Sequence, residues 1–282
     1  MDIYIIIPAY NEEAHIKKTL QSLVSQTKPP KKIVVVDDNS TDKTPDIISE
    51  FATKYDFIFS EKINTVSNHE PGSKVVHAFK QGFKKLDHDY DIICKFDADL
   101  IFPTNYLETI SNYFERNQKC GMAGGFCAIK KEGSWVIENL TNPDHIRGAL
   151  KAYRKDCFKT IGGLKESMGW DTVDELLAKY HGWEVVTDTS LLVKHLKPTG
   201  GTYSKKAKYK QGEAFYKMRY GYKLTQLASL KLALKKKQFG YYFDCLRGFY
   251  KAKKEKATFI VTEEEGAFIR KYRWKNIKKK LL

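Results

Sequence analysis

Short apolar runs at residues 3–7, 33–36 and 92–96 each end in polar or acidic residues, and stretches of helical periodicity separate them. Runs of this length and composition read as strands buried on both faces. Strands that alternate with helices specify a mostly parallel sheet with helices on both faces. The third of these runs, Ile92-Ile93-Cys94-Lys95-Phe96, leads into Asp97-Ala98-Asp99. Extended residues two apart point the same way, so two carboxylates are aimed at one region where strand gives way to loop. Such acids repel unless a positive charge lies near, and a hard divalent cation with oxygen ligands, shared with nucleotide phosphates, is the usual partner.

The remaining segments follow the same alternation. After Pro8, Asn11 is expected to cap a helix that buries Ile16, Leu20, Leu23 and Val24, with Glu12 and Glu13 at its positive end. Tyr10 stands at the carboxyl end of the first strand, where open α/β sheets bind ligands, and offers a flat face to a base. Asp37-Asp38-Asn39-Ser40-Thr41-Asp42 ends the second strand, and Thr44-Pro45 opens a helix. A third strand is expected at 57–59, a turn at 69–74 opening another helix, a helix at 105–116 and a glycine-rich strand at 120–126. A helix is expected over 149–158. Asp171 is expected at the start of a further helix with Asp174 and Glu175 three and four positions on, on the same face; closing strands are expected at 183–186 and 190–195.

Charge divides the chain at about residue 203. From 204 to 282 there are 23 Lys and Arg against 6 Asp and Glu, whereas the first 203 residues hold 26 against 28. A near-neutral domain, 1–203, is thus expected to carry a basic amphipathic helical extension, 204–282, with helical spacing over 212–234, an aromatic stripe of Tyr242, Phe243, Leu246, Phe249 and Tyr250, and a capping box at Thr262. The five cysteines are scattered with no C-x-x-C, which favours reduced core thiols. No apolar run is long enough to span a bilayer and no basic-then-apolar leader precedes the first strand, so a cytosolic location is expected.

In combination and order the motifs resemble those of the family 2 glycosyltransferases, inverting nucleotide-sugar enzymes of the GT-A fold. The similar stretches are Pro8-Ala9-Tyr10-Asn11-Glu12-Glu13, Val35-Val36-Asp37-Asp38-Asn39-Ser40-Thr41-Asp42, Phe96-Asp97-Ala98-Asp99, Tyr153-Arg154-Lys155 with Gly162-Gly163, and Trp170-Asp171 through Gly182. They cover roughly residues 1 to 200. The resemblance implies that Pro8, Ala9, Tyr10 and Glu12 flank the base, that Asp37 or Asp38 binds base or ribose, and that Lys74 faces the phosphates. It implies that Asp97, with Ala98 beside it, holds the ribose, and that Asp99 coordinates Mg2+ or Mn2+, with His195 as a further ligand. Asp171 matches the catalytic aspartate of a Glu-Asp motif. Trp170 replaces the glutamate, so Asp171 and Asp174 both stand as candidates for the base.

The expected partners are a UDP- or GDP-sugar donor and a saccharide or lipid-linked acceptor in cell-surface polysaccharide or glycolipid synthesis. For the basic extension two readings stand side by side: contact with an anionic membrane surface, which would make the protein peripheral, or packing on the body with solvated lysines. A Rossmann dehydrogenase would carry G-x-G-x-x-G after its first strand, where acids stand instead. A phosphatase would carry its D-x-D on the first strand. The alternatives are a non-catalytic GT-A-like binding protein and nucleic-acid binding through the tail, the latter not expected.

Overall fold

The computed structural model describes residues 1–64, 72–138, 144–197 and 209–281, and the apolar runs form the centre of one sheet. Ile3–Ala9 (β1) lies between Lys32–Asp38 (β2) and Ile92–Phe96 (β4), parallel to both, and Ile58–Ile63 (β3) extends the sheet beyond β2. Ile5, Ile6, Ile7, Val35, Val36, Ile92 and Ile93 are wholly buried, as strands covered on both faces require. Ile16–Val24 (α1), Thr44–Lys54 (α2) and Ser73–Lys84 (α3) make the crossovers. Pro45 sits in the first turn of α2 as expected.

Beyond β4 come Leu100–Ile101 (β5), Tyr106–Arg116 (α4), Cys120–Lys131 (β6), Ser134–Ile137 (β7), Leu150–Arg154 (β8) and Lys155–Thr160 (α5), and later Glu184–His195 (β9). The sheet order is β3-β2-β1-β4-β8-β6-β9-β5, with β7 paired to β6. The β4–β8, β8–β6 and β5–β9 pairs are antiparallel, whereas β6 and β9 run parallel.

Several expectations are corrected. Residues 149–158 are not one helix: Leu150 to Arg154 is a strand hydrogen-bonded on both sides, and its polar side chains Lys151 and Arg154 are buried rather than solvated. Arg154 is satisfied there by the carbonyls of Cys120, Phe114 and Asn117. The two closing strands are one, β9, irregular where Gly125 of β6 presses against Leu191 and any Cβ would collide with its carbonyl. Asn11 is no helix cap, since α1 starts five residues later. The third strand begins at Ile58 and runs longer than expected.

Two compact units are present. The first comprises Met1–Asn68, Lys74–Leu164 and His181–Thr199 and holds the sheet; the second comprises His69–Ser73, Lys165–Tyr180 and Gly200–Leu282. The second unit contains Trp170–Tyr180 (α6), Lys210–Lys217 (α7), Gly221–Lys236 (α8), Phe239–Lys254 (α9) and Glu263–Leu281 (α10). Helix α6, which the sequence reading placed with the first 203 residues, therefore groups with the C-terminal helices. The expected boundary at 203/204 and residues 69–71 of the expected turn lie outside the described residues.

The expected helix over 212–234 is broken. Arg219 (φ 55°) and Gly221 (φ 73°) adopt left-handed backbone between α7 and α8. Gly212 of α7 lies against the backbone of Cys245, and Gly248 of α9 against that of Tyr209, so the two helices approach at positions where a methyl group would not fit. The capping box is present: Glu265 N–H donates to Thr262 Oγ1, and Thr262 N–H donates to Glu265 Oε2. Among the described residues no helix is long and apolar enough to cross a membrane.

Candidate active site

Parallel pairing brings the carboxyl ends of β1, β2 and β4 to one edge of the sheet, with Ala9 opposite Asp37 and Ile6 opposite Lys95. The loops after β1 and β2 are fastened to each other. Asn11 N–H donates to Ser40 Oγ (2.9 Å), Thr41 N–H to Asn11 Oδ1 (2.9 Å), Glu12 N–H to Thr44 Oγ1 (2.7 Å) and Glu13 N–H to Asp42 Oδ2 (3.1 Å). Asn11 and Asn39 hold positive φ, which asparagine tolerates better than most residues. Tyr10 is left 55% exposed beside this lattice, with Lys74 Nζ 5.9 Å from its ring centre. Pro8 and Asp38 are partly exposed, and Ala9 is buried.

Asp37 is buried, with Oδ1 accepting from Ser40 N–H and Oδ2 without a hydrogen-bond partner among the described residues. A buried carboxylate oxygen left orphaned is costly, and a donor on a ligand would relieve that cost. The same holds for Glu12 Oε2, also buried and unpartnered while Oε1 meets Lys197. Burial pushes the Glu12 carboxyl up despite Lys197, with Asp99 and Asp97 adding to the rise.

The acids of the D-x-D turn meet separate partners. Lys95, buried within β4, pairs with Asp97. Asp99 is buried and lies 3.4 Å (Oδ2) from His195 Nε2. The β5–β9 pairing causes this meeting by setting Leu100 opposite His195. Burial pushes the Asp99 carboxyl up, but the hydrogen bond and charge of His195 and the charge of Lys197 outweigh it and hold the group below its ordinary value. Buried Thr19 clamps the turn, donating to Ala98 O (2.7 Å) and accepting from Leu100 N–H (3.0 Å).

Asp99 and His195 fit a divalent cation. Two ligands at right angles, each about 2.1 Å from an octahedral ion, lie about 3.0 Å apart, close to the observed 3.4 Å. A rival donor set, Cys127, Glu138 and His195, has its ligand atoms within 4.8 Å of one another. Burial pushes the Cys127 thiol up to about 12, so it is protonated near neutrality and a poor ligand without losing that proton. The chemistry of the donors therefore favours Asp99 with His195.

Sequence reasoning missed Glu138, Arg147, Lys197, His15 and Thr19. Glu138 Oε2 lies 3.3 Å from His195 Nδ1 and pairs with Arg147, making a carboxylate–histidine arrangement behind Asp99. His15 Nδ1 is buried without a hydrogen-bond partner among the described residues; burial pushes its pKa down, as does Lys197, while Asp99 opposes. No spacing rule links positions 138 and 195, and only the pairing of β6 with β7 and β9 unites them. Asp171 and Asp174 both lie on α6, in the second unit. Asp171 is in its first turn and partly exposed, whereas Asp174 is 1% exposed.

A sheet of this order, with acids gathered at the carboxyl ends of β1, β2 and β4, is the GT-A fold of nucleotide-sugar transferases. The mannosyltransferase PcManGT from Pyrobaculum calidifontis, solved in complex with GDP-Man and Mn2+, shares it at a TM-score of 0.58 and 16% identity, covering 98% of this chain and 80% of that one. The chain belongs to the glycosyl transferase family 2, whose family model matches residues 4–163. Among relatives, the probable glycosyltransferase YdaM of Bacillus subtilis (strain 168) is 39% identical over 206 residues, 68% of this chain and 46% of YdaM. The poly-beta-1,6-N-acetyl-D-glucosamine synthase of Staphylococcus epidermidis is 26% identical over 232 residues, 74% of this chain and 54% of that protein. The chain thus spans about half the length of these curated relatives.

Proposed function

We propose that this chain transfers a sugar, with inversion, from a UDP- or GDP-sugar to a hydroxyl of a saccharide or lipid-linked acceptor in cell-surface polysaccharide or glycolipid synthesis. The observation that carries the reading is the buried Asp99–His195 pair at the carboxyl edge of the sheet, beside orphaned oxygens of Asp37 and Glu12. Membership of the family supports it, as do the nucleotide sugar and Mn2+ of the mannosyltransferase complex and the polysaccharide product named for the staphylococcal relative.

In this reading Tyr10 stacks on the base, with Pro8, Ala9 and Glu12 flanking it, and Asp37 or Asp38 accepts from base or ribose donors. Asp97 and Ala98 meet the ribose, and Lys74 faces the diphosphate. Asp99 and His195 would hold a Mg2+ or Mn2+ ion. That ion supplies charge neutralisation for the departing diphosphate. Asp171 takes the proton of the acceptor hydroxyl as it attacks, since its exposure leaves it open to an acceptor while Asp174 is enclosed. One base and one direct displacement invert the anomeric centre.

In this reading the acceptor is assembled at the membrane, the basic second unit meets the anionic surface, and the protein works at the cytoplasmic face. A panel of UDP- and GDP-sugars with Mn2+, read by thermal stabilisation and by released nucleotide, tests the proposal. A ligand at about 100 times its dissociation constant adds roughly 2.7 kcal/mol of stability. Stabilisation without any turnover in the presence of saccharide acceptors would favour a non-catalytic binder; no stabilisation by any donor overturns the reading.

A further inference from the structure

The second unit carries an apolar face and a cationic cleft that donor chemistry does not use. On α9 the side chains of Phe239, Phe243 and Tyr250 are 70%, 58% and 48% exposed. Their spacing, with Leu246 between, is that of one helix face, while the opposite face buries Asp244, Cys245, Gly248 and Ala252. The last turns of α8 add exposed Leu230 and Leu234. Between residues 221 and 254 nine Lys or Arg stand against a single acid, Asp244, which is buried. Aromatic side chains exposed on a helix and bordered by cations have the composition of a bilayer interface.

The same face of α9 continues, at Lys253, into a cleft of about 280 Å³ lined by Arg219, Arg270, Tyr216, Tyr222 and Phe259. Its arginines are held in place. Arg219 stacks on Phe259 at 3.7 Å from the ring centre and donates from Nε to Val261 O, and Arg270 Nη1 donates to Arg219 O. Glu263 lies 3.6 Å from Arg219 and is largely exposed, and Glu264 also feels the charge of Arg219. Lys253 has no ion-pair partner among the described residues. Tyr222 of the cleft touches Tyr250 of the stripe, with ring centres 5.7 Å apart, so cleft and stripe are contiguous.

We propose that this face docks on an anionic phospholipid bilayer, with the aromatic stripe at the headgroup boundary and a lipid phosphate in the Arg219–Lys253–Arg270 cleft. The shared chemistry is a phosphate monoanion or diester. The contiguous aromatic stripe selects the lipid over a soluble phosphate polymer, which would leave those rings in water. The inference deepens the reading of a membrane-assembled acceptor and is independent of which donor is used.

The test is co-sedimentation of the full chain with vesicles of phosphatidylcholine alone or mixed with phosphatidylglycerol. Binding is expected only to the anionic vesicles, and it should collapse at about 1 M salt, where the screening length is about 3 Å. The exposed variant Phe239→Ser/Phe243→Ser/Tyr250→Ser should weaken binding about 100-fold or more, because three aromatic side chains leave the interface. Lys253→Glu should weaken it about tenfold. Both variants should keep the wild-type thermal stabilisation by nucleotide with Mn2+, which separates a failure of docking from a failure of the transferase reading. Absence of vesicle binding at low salt, unchanged binding by the stripe variant, or binding to a soluble polyphosphate in its place overturns the proposal; unchanged binding by Lys253→Glu overturns the headgroup cleft.

Discussion

Replacing Glu138 with glutamine perturbs the site at a residue that touches no substrate in the proposed reaction. Glu138 Oε2 lies 3.3 Å from His195 Nδ1, and His195 Nε2 lies 3.4 Å from Asp99. A carboxylate behind a histidine ligand fixes which ring nitrogen carries the proton and raises the basicity of the other, and losing such a partner typically costs 10- to 100-fold in metal affinity. Glutamine keeps an acceptor oxygen of the same reach, and the 3.3 Å contact is already at the long end of hydrogen bonding. The lower bound therefore applies: about tenfold weaker Mn2+ binding, or about 1.4 kcal/mol.

Folding is affected as well, because Glu138 also pairs with Arg147, whose side chain is only 14% exposed. Breaking a buried ion pair from one side costs about 3–5 kcal/mol, and the retained amide oxygen reduces this to about 2 kcal/mol. For a chain of this size that corresponds to a fall in Tm of about 4–8 °C. The assay is titration of Mn2+ into the protein with UDP or GDP present, well below the lowered Tm, with metal-free nucleotide binding as control. A folded Glu138→Gln protein with wild-type Mn2+ affinity would falsify the orienting role, and a loss in the metal-free control of the same size would assign the effect to general distortion.

Asp99→Asn should weaken Mn2+-dependent nucleotide binding more than Glu138→Gln does, since it removes a ligand charge; calorimetry with and without Mn2+ checks this, and equal binding by mutant and wild type counts against the metal assignment. Asp171→Asn should retain donor binding and lose transfer by about 10²- to 10⁴-fold, with Asp174→Asn showing its main effect in Tm; the reverse pattern hands the base role to Asp174. Burial pushes the Glu213 carboxyl on α7 up, but Lys217 and Lys210 outweigh it and hold it below its ordinary value. A depressed folded pKa stabilises above the unfolded value, about 4.3 for glutamate, and that contribution is lost as pH falls through the folded pKa. The Tm gap between wild type and Glu213→Gln should accordingly be widest near neutrality and narrow on acidification; a gap that does not narrow as pH falls refutes the pairing.

The half of the fold nearest the N-terminus was legible because its signals are local. Continuous apolar runs bounded by Pro8, by Asp37 and by Asp97 can only be strands covered on both faces, and the helices between them show apolar periodicity. The misreadings share one cause. Leu150 to Arg154 carries two charged side chains that a local pattern assigns to solvent, yet antiparallel partners on both sides and carbonyls aimed at Arg154 make it a central strand. The break at Arg219 in the expected 212–234 helix is likewise tertiary: the Arg219 side chain lies along Phe259, and left-handed backbone at that residue and at Gly221 separates α7 from α8. The aromatic stripe of the tail was seen as a unit, but Phe249 turns inward while Phe239, absent from that stripe, is the most exposed of the set.

The motif acids divide into two groups once the loops are seen, and the division bears on how the site is built. Asn11, Glu13 and Asp42 hold backbone N–H groups of the neighbouring loop, and Asp37 Oδ1 holds Ser40 N–H of its own, so these groups brace the loops. Because each of those donors is satisfied locally, the loops are held in place before any ligand arrives, and a ligand does not have to order them. What is left is the exposed face of Tyr10 and two buried oxygens without a hydrogen-bond partner among the described residues, Asp37 Oδ2 and Glu12 Oε2. The acids that follow β1 and β2 are thus mostly scaffold. In the proposed assignment Asp99 shares the cation with a histidine brought in from the far edge of the sheet, which is why His195 could be matched only by family position while its partner Glu138 could not be found from the sequence at all.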